Sequence, residues 1–377
     1  MKNNKKIWLS SPNMGGAEIK YVHEVFDSNW IAPVGPYIDK FENGLSLISN
    51  NYHFAALSSG TAAIHLALIL LNIKSGDNVI CSSFTFAASA NPIKYLGANP
   101  IFIDSEEQTW NMCPKLLELA IIDSIEKGTI PKAIILVHLY GMPAKINEII
   151  KIADTYSIPV IEDVAEALGS KYNGIPLGTF GKFGIYSFNG NKIITASTGG
   201  ALFSNDKKII DKAKKLATQA REEAAHYEHI DVGYNYRLSN ICAAIGFGQL
   251  QYLTKRINKK RYIFNFYKNS LSEIDDIIFL DENDNIFSNF WLTTILLKKG
   301  SIIDREYLRL SLSKSNIETR PLWKPMHLQP VFKDSCAYVN GVSEDLFNRG
   351  LCLPSDTNMK DEDLNVVVNK IKEIYAT

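Results

Sequence analysis

The sequence predicts an α/β protein with a mostly parallel central sheet and helices on both faces. Between about residues 55 and 205, short apolar runs typical of buried strands alternate with amphipathic stretches. This alternation is typical of parallel sheets whose strands are joined by helices. Near residue 250 the pattern changes, because a long helical stretch leads into strands with less regular spacing. We therefore expect a large domain over 1–250 and a smaller C-terminal α/β domain over 251–377.

The strand predictions rest on short runs rich in Ile, Val, Leu and Phe, bounded by residues that favour turns. One helix is predicted over 144–156, where Ile146, Ile149 and Ala153 recur on one face. Another apolar helical run covers 64–71. The predicted strands cover 78–82, 100–104, 132–137, 159–162, 183–187 and 201–204, followed by 289–297 beyond the domain boundary.

The composition excludes several classes of partner. The chain has 377 residues, of which 46% are hydrophobic, and its 40 basic residues equal its 40 acidic ones. No charge excess favours nucleic acid or an anionic membrane, and no apolar run is long enough for a transmembrane helix. The basic residues at 255, 256 and 259–261 fall on a helical pattern, which predicts a solvated helix face.

Five cysteines are scattered through the chain without a Cys-x-x-Cys pair or a Cys/His cluster. This usage favours neither a disulfide framework nor a metal site, and we expect no metal. Free cysteines are typical of a reducing compartment, so we expect a cytoplasmic protein.

The run Ser187-Phe188-Asn189-Gly190-Asn191-Lys192 presents one lysine after a strand and a tight turn. A lysine in such a place can form an imine with an aldehyde. The alternative is an ordinary surface lysine.

Upstream, a buried strand ends in Glu162-Asp163. In a parallel sheet, ligands bind beyond the carboxyl ends of the strands, where an Asp can hold a pyridine nitrogen protonated. Asp163 could instead cap the helix that follows.

Two earlier segments complete the pattern. Ser59-Gly60-Thr61-Ala62 opens an apolar helix, and such a helix N-terminus suits a phosphate, although an ordinary N-cap looks the same. Phe86 follows the strand at 78–82 and could stack on a flat ring or lie in the core. Along the chain, the candidate features therefore come in the order phosphate cup at 59–62, stacking aromatic Phe86, acid Asp163 and lysine Lys192.

The order and the residue sequences of these motifs resemble those of the fold-type I pyridoxal-phosphate enzymes, and within them the DegT/DnrJ/EryC1/StrS sugar-nucleotide aminotransferases. The resemblance runs through nearly the whole chain, including 14–18, 233–240 and the block 320–327. The sequences of the segments 162–169, 187–192 and 320–324 are most similar to one branch of this family. That branch aminates UDP-4-keto-6-deoxy-N-acetylglucosamine on the route to N-acetylbacillosamine. This route serves polysaccharide biosynthesis and protein glycosylation.

The resemblance implies pyridoxal 5′-phosphate as cofactor, with Lys192 as its Schiff-base lysine and Asp163 on the pyridine nitrogen. It implies L-glutamate as amino donor and a homodimer in which Asn235 reaches the neighbouring active site. Ala165 would lie under the ring, and Glu166 would approach the 3′ oxygen, unless it is only a first-turn acid. The implied phosphate ligands are Gly60, Thr61, Ala62, Ser187 and Asn235.

On the substrate side, the same resemblance implies roles for His327, Lys324 and Arg320 near the diphosphate. Trp30 is expected either in the sugar pocket or in the core. The nucleotide base, the C2 substituent and the stereochemistry at C4 do not follow from the residues themselves, so a dTDP- or GDP-linked acceptor stays open.

Three other functions compete with the aminotransferase. Related dehydratases replace the Schiff-base lysine with His, whereas Lys192 is present here. A regulatory protein that binds the cofactor without turnover is not excluded by sequence. A nicotinamide enzyme is disfavoured because the Gly-x-Gly-x-x-Gly fingerprint after a first strand is missing.

Overall fold

A computed structural model describes residues 5–376. The outermost residues of the two predicted domains, 1–4 and 377, lie outside this range. The helices are α1 Glu18–Asp27, α2 Pro36–Ile48, α3 Gly60–Leu70, α4 Asn91–Tyr95, α5 Pro114–Glu126, α6 Ile146–Thr155, α7 Lys207–Ala217, α8 Asn240–Leu250, α9 Leu253–Ser270, α10 Arg305–Lys314, α11 Val342–Arg349 and α12 Asp361–Tyr375.

The strands are β1 His53–Leu57, β2 Asn78–Ser82, β3 Asn99–Ile103, β4 Ala133–Val137, β5 Val160–Asp163, β6 Lys171–Tyr172, β7 Ile175–Pro176, β8 Phe183–Ser187, β9 Gly200–Ser204, β10 Ile277–Phe279, β11 Ile286–Phe287, β12 Thr293–Leu297, β13 Arg320–Pro321, β14 Cys336–Tyr338 and β15 Gly350–Leu353.

The central sheet has eight strands in the order β1-β9-β8-β5-β4-β2-β3-β14. All of them run in one direction except β9, which is antiparallel to both of its neighbours. The predicted α/β class with a mostly parallel sheet is therefore confirmed. Six predicted strands match β2, β3, β4, β5, β8 and β9 to within one residue at each end.

Both faces of this sheet are covered by helices, as the alternation along β4 demonstrates. Ala133 and Ile135 pack into one apolar cluster with α3, α4 and α7, whereas Ile134 and Leu136 pack into another with α5 and α6. Successive side chains of a strand point to opposite faces, so a strand that is buried on both sides must be apolar throughout. The predicted helix at 144–156 is α6.

Beyond residue 250, a four-stranded antiparallel sheet in the order β10-β12-β15-β13 packs with α9, α10 and α12 around its own apolar cluster. Three pairings among the described residues join the two sides of the predicted boundary: β14 pairs with β3 in the large sheet, β11 pairs with β6, and Ile7 bridges Ile317. The division at residue 250 stays a prediction. No helix within residues 5–376 is long and apolar enough to cross a membrane.

The predicted strand at 289–297 begins later than expected, at Thr293. The preceding residues have another role, since Asn289 donates through Nδ2 to the carbonyls of Glu166 and Leu168 in the large domain. Phe290 has a φ of 45°, which breaks the extended backbone. These contacts attach the start of the small sheet to the large domain.

The predicted solvated face of α9 is wrong for two of its basic residues. Arg256 and Lys260 are buried, because α9 packs against the N-terminal segment and the loop after β15. The Lys260 amine donates to the carbonyl of Ser355 at 2.6 Å and to Ser10 Oγ at 3.3 Å. A lysine can be buried in this way when carbonyl and hydroxyl oxygens replace its water.

We expect Lys260 to make stability depend on pH. Burial lowers the pKa of its amine to about 7, whereas the unfolded chain has an ordinary lysine near ~10.4. Between these values the unfolded state binds more protons, so stability rises with pH across this window, by at most ~1.4 kcal/mol per pH unit. Lys260→Met removes this contribution, and urea unfolding at a series of pH values measures it. Lys259→Met, on the same helix turn, should keep the wild-type slope; equal slopes in all three proteins would contradict the prediction.

Candidate active site

The carboxyl ends of β2, β5 and β8 meet the start of α3 at one edge of the large sheet. Parallel strands end at the same edge, so residues far apart in sequence converge there. They enclose a cavity of about 830 Å³, including its open mouth. Its lining includes Ser59, Gly60, Thr61, Thr85, Phe86, Ser89, Asp163, Ala165, Glu166, Ser187, Asn189, Asn191, Lys192, Thr198, Trp291 and Trp323.

The N-terminus of α3 forms one end of the cavity. Ser59 caps the helix by accepting a hydrogen bond from the Ala62 N–H at 3.0 Å, which occupies that donor, and Gly60 and Thr61 line the cavity. A Cβ on Gly60 would lie 3.3 Å from Ser187 Cβ, which brings the Ser187 hydroxyl close to the helix start. The backbone N–H groups and the helix dipole make this end suitable for an anion.

Asp163 ends β5 and is nearly buried. Its Oδ2 accepts a hydrogen bond from Ser89 Oγ at 2.7 Å, and its Oδ1 accepts one from the Ala165 N–H at 3.1 Å. Ser89 in turn shares a 2.8 Å hydrogen bond with Thr85 Oγ1. Two donors leave lone pairs on the carboxylate for a ligand in the cavity.

Lys192 reaches the cavity from the irregular segment between β8 and β9. Its Nζ lies 3.7 Å from Glu166 Oε1 and 4.2 Å from the centre of the Trp291 ring. The amine is thus next to a carboxylate and an aromatic face, which both attract a cation.

Glu166 is buried in a turn, and no helix begins between β5 and β6, so it is not a first-turn acid. Its Oε2 accepts a hydrogen bond from the Tyr140 N–H at 2.7 Å. Burial raises the pKa of this carboxyl group, while the neighbouring Lys192 lowers it. A raised pKa favours a group that can share or exchange a proton with a ligand.

Aromatic rings form the remaining wall. Phe86 is half exposed, and its ring lies 5.4 Å from that of Trp323. Trp323 and Trp291 both lie nearly parallel to Tyr140, at interplanar angles of 12° and 15°. Tyr140, which follows β4 of the large sheet, therefore stacks with Trp291 and Trp323, which flank strands of the small sheet, and the stacked rings lie beside Lys192.

Six of the predicted site residues do not line this cavity in the single chain. Arg320 borders a neighbouring cavity of about 1120 Å³ and pairs with Glu318 at 3.0 Å. His327 is hydrogen-bonded to Ser83 at 2.6 Å, and burial lowers the pKa of its imidazole. The other four are Ala62, which lies behind the helix cap, the half-buried Lys324, and the solvent-exposed Trp30 and Asn235.

Ser89, Trp291 and Tyr140 contribute to the site although they are not among the residues predicted from the sequence. Ser89 follows Phe86 by three residues in a helical turn, and this spacing, which places both side chains on one side of the turn, could have indicated that Ser89 also faces the site. Trp291 and Tyr140 had no such signal, because their contacts depend on how the small sheet packs on the large one.

A mostly parallel sheet with a lysine, a buried aspartate and a helix N-terminus in one cavity is the arrangement of a pyridoxal-phosphate-dependent aminotransferase. The profile of the DegT/DnrJ/EryC1/StrS aminotransferase family matches residues 12–372. The chain belongs to this family, and it is a pyridoxal-phosphate-dependent sugar aminotransferase.

Two relatives and one solved structure illustrate the similarity. The chain is 51% identical to EpsN of Bacillus subtilis strain 168, which carries the name of a pyridoxal phosphate-dependent aminotransferase, over 99% of this chain and 97% of EpsN. It is 39% identical to the GDP-perosamine synthase of Escherichia coli O157:H7, over 99% of both chains. A crystal structure of a family member from Brucella abortus superposes with a TM-score of 0.89, at 29% identity over 96% of both chains.

The cavity fits this cofactor. A phosphate requires N–H and O–H donors, which Gly60, Thr61 and Ser187 offer at one end of the cavity. A pyridine nitrogen requires a carboxylate with a free lone pair, which Asp163 offers. The aldehyde requires an amine, and Lys192 is the lysine that lines the cavity.

We expect Asp163→Asn to lower the turnover rate at least about a hundredfold, because it removes the charge that stabilises a pyridinium. Ser89→Ala should cost at most about tenfold, since it removes one hydrogen bond and leaves the charge. Steady-state kinetics and cofactor absorption spectra of both variants measure this. Ser75→Ala, in an exposed turn, is the control. Equal losses of turnover rate in Asp163→Asn and Ser89→Ala would mean that Asp163 contributes through hydrogen bonding and not through its charge.

Proposed function

We propose that this enzyme transfers the amino group of L-glutamate to C4 of a nucleotide-linked 4-keto-6-deoxy sugar, with UDP-4-keto-6-deoxy-N-acetylglucosamine as the acceptor. The product is then UDP-4-amino-4,6-dideoxy-N-acetylglucosamine. The observation that carries the proposal is the convergence of Lys192, Asp163 and the start of α3 in one cavity. This arrangement also argues against a regulatory protein without turnover, because each group required for the chemistry is present.

The roles of the residues follow from their contacts. Bound pyridoxal phosphate supplies an aldehyde carbon and an electron-withdrawing pyridinium ring. Asp163 keeps a proton on the ring nitrogen, and Ser89 orients the carboxylate for that task. Lys192 would hold the cofactor through its aldehyde, and its Nζ, when free, would accept and donate a proton as a general base and acid.

Glu166 pairs with Lys192 and serves in our proposal as its proton partner. Its carboxyl group lies 3.7 Å from the amine, and burial raises its pKa, which favours sharing a proton with a neighbouring group. Phe86 and Ala165 line the cavity, and they would enclose the two faces of a bound ring, orient it and exclude water.

The choice of UDP over other nucleotides rests on the resemblance of the segments 162–169, 187–192 and 320–324 to the bacillosamine branch. The similarity to a GDP-perosamine synthase favours a second candidate, a GDP-linked 4-keto-6-deoxy sugar. The two acceptors differ in the base and at C2, so residues beyond the cofactor must distinguish them. Arg320 and Lys324 are our candidates for diphosphate contacts, and His327 and Trp30 for the sugar or ribose.

A homodimer is part of the proposal, because the cavity contains no residue from the segment 221–236 that would complete the phosphate site. This segment carries Asn235 together with the exposed apolar residues Tyr227, Ile230 and Val232. Exposed apolar side chains grouped in one segment favour an interface with another chain. A second copy would cover them and would receive Asn235 in its own phosphate cup.

A panel of acceptors tests the substrate. With L-glutamate as donor, we expect the highest kcat/KM for the UDP-linked 4-keto-6-deoxy-N-acetylglucosamine, and lower values for GDP- and dTDP-linked 4-keto-6-deoxy sugars. Mass spectrometry of the aminated product measures each rate. A higher kcat/KM for the GDP-linked sugar would make that sugar the acceptor in place of the UDP-linked one. If none of these sugars is aminated, the proposed function is contradicted.

Subunit mixing tests whether Asn235 acts across the interface. Lys192→Ala should be inactive and Asn235→Ala weakly active. A mixed dimer has one site with both defects and one with neither, so activity should rise after the two variants exchange subunits. The control mixes Lys192→Ala with Lys259→Met; because every Lys259→Met subunit keeps an intact site, the activity of this mixture should not change on subunit exchange. If Asn235 acts within its own chain, one site of the mixed dimer carries Lys192→Ala and the other carries Asn235→Ala. Neither site is then intact, and activity does not rise.

A further inference from the structure

The segment that bears Lys192 has little regular structure of its own. It joins β8 to β9, and the backbone hydrogen bonds on either side of Lys192 include the one from the Lys192 N–H to Asn189 O at 3.0 Å and the one from the Ala196 N–H to Phe188 O at 2.9 Å. Ser197 has a φ of 72°, which takes the segment out of both helical and extended conformations. Contacts from other parts of the chain must therefore help to fix the position of Lys192.

One such contact comes from Trp291, just before β12. Its indole Nε1–H donates to the carbonyl of Asn191 at 2.9 Å, and the face of the same ring lies 4.2 Å from Lys192 Nζ. Trp291 is fully buried and stacks on Tyr140, and its own N–H donates to Asn289 Oδ1 at 2.8 Å. The indole is thus held firmly against both the backbone and the side chain of the lysine segment.

A second contact comes from the N-terminal segment. Ser10 Oγ donates to the same Asn191 carbonyl at 3.1 Å. Ser10 is itself held in place, because the buried Lys260 amine donates to its hydroxyl and the Leu9 N–H donates to Glu318 Oε2 at 3.2 Å. The carbonyl before Lys192 therefore accepts two hydrogen bonds from separate parts of the chain.

We propose that Trp291 and Ser10 form a clamp on the Asn191 carbonyl that positions Lys192 for attack on the cofactor aldehyde. The peptide group between Asn191 and Lys192 is the base of the lysine side chain, so fixing its oxygen fixes where that side chain starts. The Trp291 face holds the amine beside Glu166 whenever the amine is not bonded to the cofactor. Both are positioning residues, and the inference rests on the proposed role of Lys192.

The clamp affects covalent attachment and not the capture of the cofactor. Attachment joins the Lys192 nitrogen to the aldehyde carbon and releases the carbonyl oxygen as water. Capture of the phosphate depends on Gly60, Thr61 and Ser187, which the clamp does not contact. Loss of the clamp should therefore lower the limiting rate of attachment and leave the cofactor concentration for half-maximal rate unchanged.

The test follows attachment of pyridoxal 5′-phosphate to the full-length protein after its cofactor has been removed. Borohydride reduction at timed intervals, followed by mass spectrometry, measures the fraction linked at Lys192. Trp291→Phe keeps an aromatic face and removes the N–H, while Ser10→Ala removes the other donor. We expect the limiting rate to fall about three- to tenfold in each variant, as the loss of one hydrogen bond implies, and further in the double variant. The half-maximal concentration should stay within about twofold of wild type.

Matched controls separate positioning from folding. Trp110→Phe makes the same substitution at a buried Trp outside the cavity lining, and Ser11→Ala removes a neighbouring hydroxyl that contacts Asp356 instead of Asn191. Neither should change the rate of attachment. Wild-type rates in Trp291→Phe and in Ser10→Ala would overturn the clamp, as would equal losses in the controls. If Trp291→Phe does not fold, Ser10→Ala alone decides the question. A borohydride-stable link that persists in Lys192→Ala would instead contradict the proposed function.

Discussion

The close approach of α3 to the start of β9 is the constraint on which the site depends. A Cβ on Gly200 would lie 2.3 Å from the Gly60 nitrogen, so only glycine allows this contact. The contact brings the N-terminus of α3 against the ends of β8 and β9, between which the Lys192 segment runs. Backbone packing therefore holds the anion-binding end of the cavity against the two strand ends that the Lys192 segment joins.

The other wall of the site depends on how the small sheet is attached. Asn289 donates to two carbonyls of the segment after Asp163, and the Asn289 N–H donates to Ser170 Oγ at 2.9 Å. These bonds bring Trp291 over Lys192. A change in the angle between the two sheets would move Trp291 away from the amine while leaving Asp163 and Gly60 in place, so attachment of the small sheet affects the lysine more than the rest of the cavity.

Much of the fold could be predicted from the sequence, because strands buried on both faces must be continuously apolar and the helices between them amphipathic. The convergence of Gly60, Phe86, Asp163 and Lys192 could also be predicted, since it follows from the rule that parallel strands end at one edge. The burial of Lys260 could not, because a basic residue on a helix gives no sign of which carbonyls will face it. Trp291 was hidden for the same reason, as its contacts are set by tertiary packing.

Two adjacent carboxylates on β5 demonstrate how packing assigns function. Successive residues of a strand point to opposite faces, so Glu162 and Asp163 have different surroundings. Glu162 accepts hydrogen bonds from the N–H groups of Gly178, Phe180 and Gly181 and from His138 Nε2. Four donors occupy the approximately four lone-pair positions of a carboxylate, which leaves none for a ligand. Asp163 accepts hydrogen bonds from Ser89 and Ala165 and borders the cavity, so its remaining lone pairs are available to a bound ring nitrogen. The sequence presents a Glu-Asp pair, and counting donors shows that Glu162 fixes the loop around β7 while Asp163 is left for chemistry.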